Sequence, residues 1–247
     1  VRQNSLIYSG LYNNNSSVNN INQFIQAEKI TKDLNPEYGS IQKLFSRNTN
    51  IVAFCENKII KILANKDALF NADGNTNLVS TNRVLGQSVP FLGEFGISRN
   101  PESFANYGYR IYFTDKDRNA VLRLSEDGLT DISKTGMSTY FRDSFKTATT
   151  LIGSYDEDKR NYNLTMSTET VSFSEDVKGW TSRKSFIPES GLSMDNGYYT
   201  FKTGRMWLHG ENELRNNFYA VQYADGSSVD FILNLSPSVV KTFKTLN

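Results

Sequence analysis

Residues 109–133 read YRIYFTDKDRNAVLRLSEDGLTDIS, and this stretch decides the fold. Two short runs of alternating apolar and polar residues, around Ile111 and Val121, flank a charged turn at residues 116–119. A third apolar run follows the pair Asp127-Gly128, and Asp-Gly is a strong signal for a turn between antiparallel strands. The stretch therefore predicts a three-stranded antiparallel meander.

The same layout recurs along the chain. Residues 50–71, 150–186 and 197–235 each contain alternating runs around a polar turn, and the repeat spacing is about 40 residues. Aromatic residues make up 13% of the sequence, which favours strands over helices. These patterns predict an all-β fold of propeller-like antiparallel meanders with about four blade-like units. A β-sandwich built from the same hairpins is the alternative.

The first 45 residues differ in composition from the rest. Residues 4–20 are rich in Asn and Ser and contain few apolar side chains, which predicts an extended arm that is ordered mainly by contact with another chain or domain. Ile21, Phe24, Ile25 and Ile30 recur at roughly helical spacing before the break at Asn35-Pro36, and they predict a short helix. The predicted domains are this arm and helix over residues 1–45, and a β-meander domain over residues 46–247 that is part of a longer chain.

A second helix is expected between two meanders. Met137, Tyr140, Phe141 and Phe145 share one face at helical spacing, and Ser138 is the predicted N-cap.

Charge and cysteine content limit the functional classes. The chain of 247 residues carries 27 Lys and Arg against 26 Asp and Glu, so it lacks the basic excess typical of nucleic-acid-binding proteins. We expect free protein to bind duplex DNA no more tightly than about 10⁻⁴ M at physiological salt. The single cysteine, Cys55, lies among apolar residues and is predicted to be a buried thiol. No stretch has the length and hydropathy of a membrane-spanning segment.

Candidate catalytic and metal-binding residues are few. The single histidine, His209, has no second histidine or cysteine nearby in the sequence, so a zinc site is not predicted. The acidic residues at 156–160 and 114–119 lack the spacing of a calcium loop, and both segments are interpreted as solvated hairpin tips.

The remaining candidates are also interpreted as structural. Residues 185–191 contain a serine near a glycine but not the nucleophile elbow of hydrolases, and a turn is expected. Trp180 and Trp207 are candidate sugar-stacking residues, for which buried strand positions are the alternative. We expect Trp180, Phe186 and Ile187 to be mostly buried. No catalytic, cofactor-binding or metal-binding residue is assigned, and the chain is not predicted to be an enzyme.

Residues 96–247 carry five ordered motifs that resemble one family of phage proteins. The motifs are RIYFTDKDRNAVLRLSEDGLTDISKTGM, IGSYDEDKRNYNLT, GWTSRKSFIPESG at residues 179–191, YYTFKTGRMWLHG and FILNLSPSVVKTFKTLN. They are similar to the tail nozzle proteins, also called muzzle proteins, of short-tailed, crAss-like phages.

The resemblance implies a virion structural protein of the phage tail that is made in the host cytoplasm. Such a protein forms a ring, expected to be hexameric, that contacts the portal and adaptor rings and other tail proteins. The ring retains the packaged genome and releases it without specific DNA binding. The turns at residues 116–119 and 156–160 are then candidate ring-contact or lumen positions. A receptor- or glycan-binding tail propeller and a tail-associated hydrolase are the alternatives.

Overall fold

The computed structural model describes residues 2–10, 12–13, 15–25, 27, 29–70, 76–224, 226–229, 237–240 and 242. The first eight strands are β1 Ser5–Ile7, β2 Tyr12–Asn13, β3 Val18–Asn19, β4 Thr31–Asp33, β5 Ile41–Arg47, β6 Asn50–Cys55, β7 Ile59–Phe70 and β8 Thr76–Pro90. The next eight are β9 Ala105–Tyr107, β10 Arg110–Asp115, β11 Ala120–Ser125, β12 Gly128–Asp131, β13 Ile152–Asp156, β14 Asn161–Thr165, β15 Thr170–Ser174 and β16 Gly179–Lys184. The last five are β17 Ser190–Met194, β18 Gly197–Lys202, β19 Arg205–Leu208, β20 Asn217–Phe218 and β21 Val221–Gln222.

The larger strands form consecutive antiparallel meanders. The first sheet has the order β5-β6-β7-β8, the second β12-β11-β10-β9, the third β13-β14-β15-β16 and the fourth β17-β18-β19. The all-β prediction is confirmed. The predicted turns are also found, because the charged residues 116–119 join β10 to β11 and Gly128 begins β12 with a φ of 103°.

The first and second sheets pack face to face. Their shared core includes Phe54 from β6 and Phe113 from β10, whose ring centroids are 5.2 Å apart. The other face of the first sheet is covered by the N-terminal segment, where Leu6, Tyr8 and Leu34 pack. The strand β6 and the first residues of β7 are therefore buried between the two.

The second sheet is buried on both faces, because its opposite side packs on the third sheet and on the helix. Four tyrosine rings line this second contact. Tyr107 stacks on Tyr155 at 4.4 Å, Tyr155 on Tyr112 at 5.7 Å, and Tyr112 on Tyr162 at 4.9 Å between centroids. The stack joins residues of β9 and β10 to residues of β13 and β14, so it holds two sheets together.

The first strands of successive sheets are neighbours. β13 lies against β9 on one side and β17 on the other, and Phe45 of β5 packs on Phe104, which precedes β9. Sheets that stack in series with their first strands adjacent are compatible with propeller blades. The described residues form no closed ring of sheets, so the propeller stays a prediction. In a two-sheet sandwich each sheet packs on one other sheet. The second sheet packs on the first sheet with one face and on the third sheet with the other, so the alternative of a β-sandwich does not fit it.

One predicted helix is present and the other is not. The helix α1 spans Ser138–Thr147, with Phe141 and Phe145 buried. Its N-cap is Met137 rather than the predicted Ser138, which is the first helical residue. The described residues between 21 and 30 contain no helix, and Phe24 and Ile25 are about half exposed. That prediction was wrong, because a short helix is stable only when its apolar face is covered, and these side chains are not covered by the described residues.

The N-terminal segment is extended and pairs within its own chain. β1 pairs with β4, and β2 pairs with β3. Asn4 Nδ2 donates to the Leu34 carbonyl over 2.8 Å. The predicted boundary after residue 45 falls inside β5. Whether another chain also orders this segment stays a prediction.

The chain divides into compact units at residues 1–211 and 212–247. The second unit contains the hairpin of β20 and β21, in which the rings of Phe218 and Tyr223 are 6.0 Å apart. No helix among the described residues is long and apolar enough to cross a membrane.

Candidate interaction surfaces

His209 lies directly after β19 and packs between aromatic rings. Its Nε2 is 2.6 Å from Thr200 Oγ1, and its ring lies 4.6 Å from Phe186 and 5.1 Å from Tyr198 between centroids. Burial lowers the pKa of His209 to about 4, and two nearby lysines act in the same direction. His209 is therefore a neutral side chain at neutral pH, with a packing role at the end of its strand.

The depressed pKa of His209 predicts a loss of stability in acid. The unfolded chain takes up this proton near pH 6.5, whereas the folded chain takes it up near pH 4. The stabilising contribution is thus complete above pH 6.5 and is lost as the pH falls through about 4. We expect the denaturant midpoint of the native protein to fall more between pH 7 and pH 4.5 than that of a His209→Gln variant. Equal pH dependence of the two midpoints would contradict the assignment.

Lys184 is the other basic group with a lowered pKa near the fourth sheet. Burial lowers its pKa to about 8, and its Nζ donates to Asn163 Oδ1 over 3.0 Å. The same oxygen accepts from Ser172 Oγ at 2.6 Å. These three residues lie on β16, β14 and β15, so the contacts join three strands of the third sheet.

The two acidic segments are turns of hairpins, but the prediction that they are solvated holds only in part, because Asp115 and Asp156 at the ends of the preceding strands are buried. Asn119 and Arg160 end them with φ angles of 55° and 52°, in the left-handed region that tight turns use. Within the described ranges, no three His, Cys, Asp or Glu side chains are grouped so as to hold a metal ion.

Cys55 and the two tryptophans have structural surroundings. Cys55 is buried as predicted, and its pKa is raised to about 11, chiefly by burial. Trp180 is half-buried: its Nε1 donates to the Ile132 carbonyl over 3.0 Å, and its ring packs on Phe141. Trp207 is half-buried as well.

Residues 185–189 join β16 to β17, so the turn predicted over residues 185–191 is shorter than expected, because Ser190 and Gly191 already belong to β17. Phe186 within them is buried, which confirms that prediction, whereas Ile187 is half-buried.

The fourth sheet has two different faces. Tyr198 and Thr200 point towards the third sheet and are buried, and the Tyr198 hydroxyl lies 2.7 Å from Ser154 Oγ. Strand pairing aligns Leu192 with Tyr199 and Tyr199 with Leu208, so these three side chains share the opposite face. We call this opposite side the fourth-sheet face; its large apolar residues are Leu192, Met194, Tyr199, Phe201, Met206 and Leu208.

The fourth-sheet face is open to solvent. Leu192 is 40% exposed, Met194 53%, Met206 56% and Leu208 41%. Six adjacent large apolar side chains on one open face are typical of an interaction site rather than of ordinary protein surface. The first three sheets pack on one another through apolar faces. The fourth-sheet face is also apolar, but its side chains are exposed among the described residues.

A polar cleft lies where the β9–β10 and β11–β12 turns meet. It has a volume of about 430 Å³. We call it the tyrosine cleft; its lining residues are Tyr107, Gly108, Tyr109, Arg110, Arg123, Ser125, Glu126 and Asp127.

Glu175, from the turn after β15, forms hydrogen bonds that hold one wall of the tyrosine cleft in place. Its carboxylate accepts from Arg123 Nη1 over 2.7 Å and from the Tyr112 hydroxyl over 2.7 Å. The Arg110 guanidinium is 3.9 Å away. The arginine side of the cleft is therefore held in place by the third sheet.

Sequence reasoning identified neither surface. The alternation in residues 190–208 predicts strands, but one sequence does not tell which face of the sheet stays open. The tyrosine cleft joins two turns that are separate in the sequence. The candidates weighed from the sequence, His209 and the two tryptophans, lie outside it.

Comparisons with known proteins add little to these observations. No family model matches the chain, and no curated protein matches it. Among solved structures, a 2S albumin seed protein from Dolichos is similar with a TM-score of 0.32 at 10% identity, over 69% of this chain and 92% of that one. The hemopexin fold protein CP4 from cow pea has a TM-score of 0.28 at 10% identity, over 66% of this chain and 82% of the other. Likenesses this weak carry no argument about fold or function.

Proposed function

We propose that this chain is a structural protein of a short-tailed phage tail, a segment of the nozzle or muzzle ring. The motifs in residues 96–247 support this proposal through their resemblance to that family. The stacked antiparallel sheets support it as well, since they provide a rigid building block.

The observation that carries the proposal is the fourth-sheet face. Burial of apolar surface releases about 25 cal/mol per Å², so this face gains free energy when a neighbouring protein covers it. The contacts of the second sheet with the first and third sheets are made by apolar faces. A role in assembly uses such a surface directly, and it requires no catalytic residue.

A ring of identical subunits needs two different patches on each subunit, because the contacts run head to tail. The fourth-sheet face is the first of these patches in our proposal, and the ring has six copies. A net charge of +1 suits a conduit through which DNA passes without being held. The portal and adaptor rings are the proposed neighbours in the virion.

Localisation and copy number in the phage particle test this proposal directly. Cryo-electron microscopy of the virion is expected to find the chain in a tail ring below the portal. A protein that stays monomeric at high concentration and is absent from the particle would exclude the proposed role.

A charge placed on the fourth-sheet face is expected to block assembly. Met206→Glu and Leu192→Glu change side chains that are exposed in the monomer, so the monomer should remain folded. Burying the new carboxylate in a contact is costly, and the protein concentration for half-assembly should rise about a hundredfold or more. Native mass spectrometry measures the assembly, and thermal unfolding measures the fold.

The matched control is Leu92→Glu, because Leu92 is almost fully exposed and lies outside the fourth-sheet face. This variant should assemble like the native chain. Unchanged assembly of Met206→Glu would show that another surface makes the contact.

A further inference from the structure

The tyrosine cleft has properties that assembly does not explain. Its volume of about 430 Å³ lies within the range of about 300–1,000 Å³ found for small-molecule sites. Both of its tyrosines reach solvent, and Tyr109 is 60% exposed. The cleft therefore offers aromatic surface next to hydrogen-bonding groups.

Contacts within the protein fix the ring of Tyr107 and the backbone of Tyr109 before any ligand arrives. The ring of Tyr107 lies parallel to that of Tyr155, with 4.4 Å between centroids and 9° between planes. The backbone of Tyr109 is held as well, because its carbonyl accepts from Arg47 Nη2 over 2.9 Å. A rigid aromatic side chain loses little entropy on binding, which favours its use as a stacking surface.

The opposite wall contains an accessible cation. The side chain of Arg110 is 45% exposed and lines the cleft, and its guanidinium is 3.9 Å from the Glu175 carboxylate. Ser125 Oγ and Arg123 Nε have no hydrogen-bond partner among the described residues, but both atoms are closed to solvent. The hydrogen-bonding group that this wall offers to a ligand is therefore the Arg110 guanidinium.

The charges of the cleft balance. Arg110 and Arg123 contribute two positive charges, and Glu126 and Asp127 contribute two negative charges. This balance disfavours phosphates and nucleic acid, which require a net positive surface. A neutral ligand with many donors and acceptors matches the lining.

We infer that the tyrosine cleft binds a neutral saccharide. Tyr109 stacks on the apolar face of a sugar ring, while Glu126 and Asp127 accept hydrogen bonds from its hydroxyl groups. The Arg110 guanidinium donates to hydroxyl oxygens from the other wall. The inference does not depend on the assembly role, because the lining residues of the cleft are all separate from the fourth-sheet face.

A glycan array with neutral and sialylated oligosaccharides tests the inference on the full chain. Lactose and 3′-sialyllactose are a suitable pair, because they differ by one sialic acid residue and thus by one negative charge. Saturable binding to neutral glycans, with the sialylated partners no tighter, is the expected result. An array with no neutral glycan bound, or one in which anionic glycans bind more tightly, would overturn the inference.

The Tyr109→Ala variant locates the site. Its affinity for the best neutral glycan should fall about tenfold, the loss common for an anchoring tyrosine. Tyr12→Ala removes another exposed tyrosine outside the cleft and should bind normally. Equal affinity of Tyr109→Ala and the native chain would place the sugar elsewhere and refute the inference, whatever the assembly experiments find.

Discussion

Replacing Gly153 by alanine is expected to abolish the stable fold. A Cβ atom at Gly153 would lie 1.9 Å from the Ser103 carbonyl oxygen and 3.1 Å from the Tyr162 ring. The Ser103 carbonyl cannot simply move away, because it accepts from the Tyr162 hydroxyl over 2.8 Å. The collision is with backbone, so the loss should exceed the about 1–3 kcal/mol that overpacking commonly costs.

Urea unfolding of Gly153→Ala measures this loss, and Gly179→Ala is the control. Gly179 also lies in the third sheet, but the nearest atom to its added Cβ would be 3.7 Å away, an ordinary contact distance. The control should keep its unfolding midpoint. If both variants unfold at the native midpoint, the close approach of β13 to the chain before β9 is not needed for stability.

Replacing Asp115 by asparagine should lower the unfolding free energy by about 1–3 kcal/mol for each buried donor that is left without an acceptor. Its carboxylate is completely buried and accepts from the Gly96 amide at 3.0 Å and from Ser98 Oγ at 2.8 Å. It also accepts from the amide of Arg118 and pairs with the guanidinium, each at 3.1 Å. An asparagine NH₂ group would face some of these donors and leave them without an acceptor.

Asp117→Asn makes the same chemical change two residues away, at an exposed position of the same turn. Chemical denaturation of the two variants side by side should find the loss only at Asp115. A loss of the same size in both would indicate a general effect of charge in the turn.

The meanders were predictable from the sequence because local signals agree with the final structure. Alternating side chains around Ile111 and Val121, with turn residues between them, specify a hairpin whatever lies around it. The burial of Cys55 followed from its apolar neighbours in the same way. Such features depend on a few adjacent residues.

The errors lie where local patterns need a distant partner. Phe24 and Ile25 have helical spacing, but a helix this short is stable only when its apolar face is covered. Ser138 is a favourable capping residue, yet it is the first residue of the helix, and Met137 is the N-cap. Neither outcome can be read from the adjacent residues alone.

The two candidate surfaces were missed for a related reason. The fourth-sheet face depends on which side of β17–β19 meets the third sheet, and this is decided by contacts such as that of Tyr198 with Ser154. The tyrosine cleft depends on the meeting of two turns and on Glu175 from another sheet. Both are products of long-range packing.

The stack of four tyrosines gives this protein an optical signature of its own. Aromatic rings held at centroid distances of 4.4–5.7 Å couple their electronic transitions, and only packed tertiary structure holds them so. Burial raises the pKa of Tyr112, Tyr155 and Tyr162, so these phenols stay un-ionised into alkaline solution. Near-ultraviolet circular dichroism therefore reports whether the second and third sheets are in contact, separately from the strand content seen in the far ultraviolet.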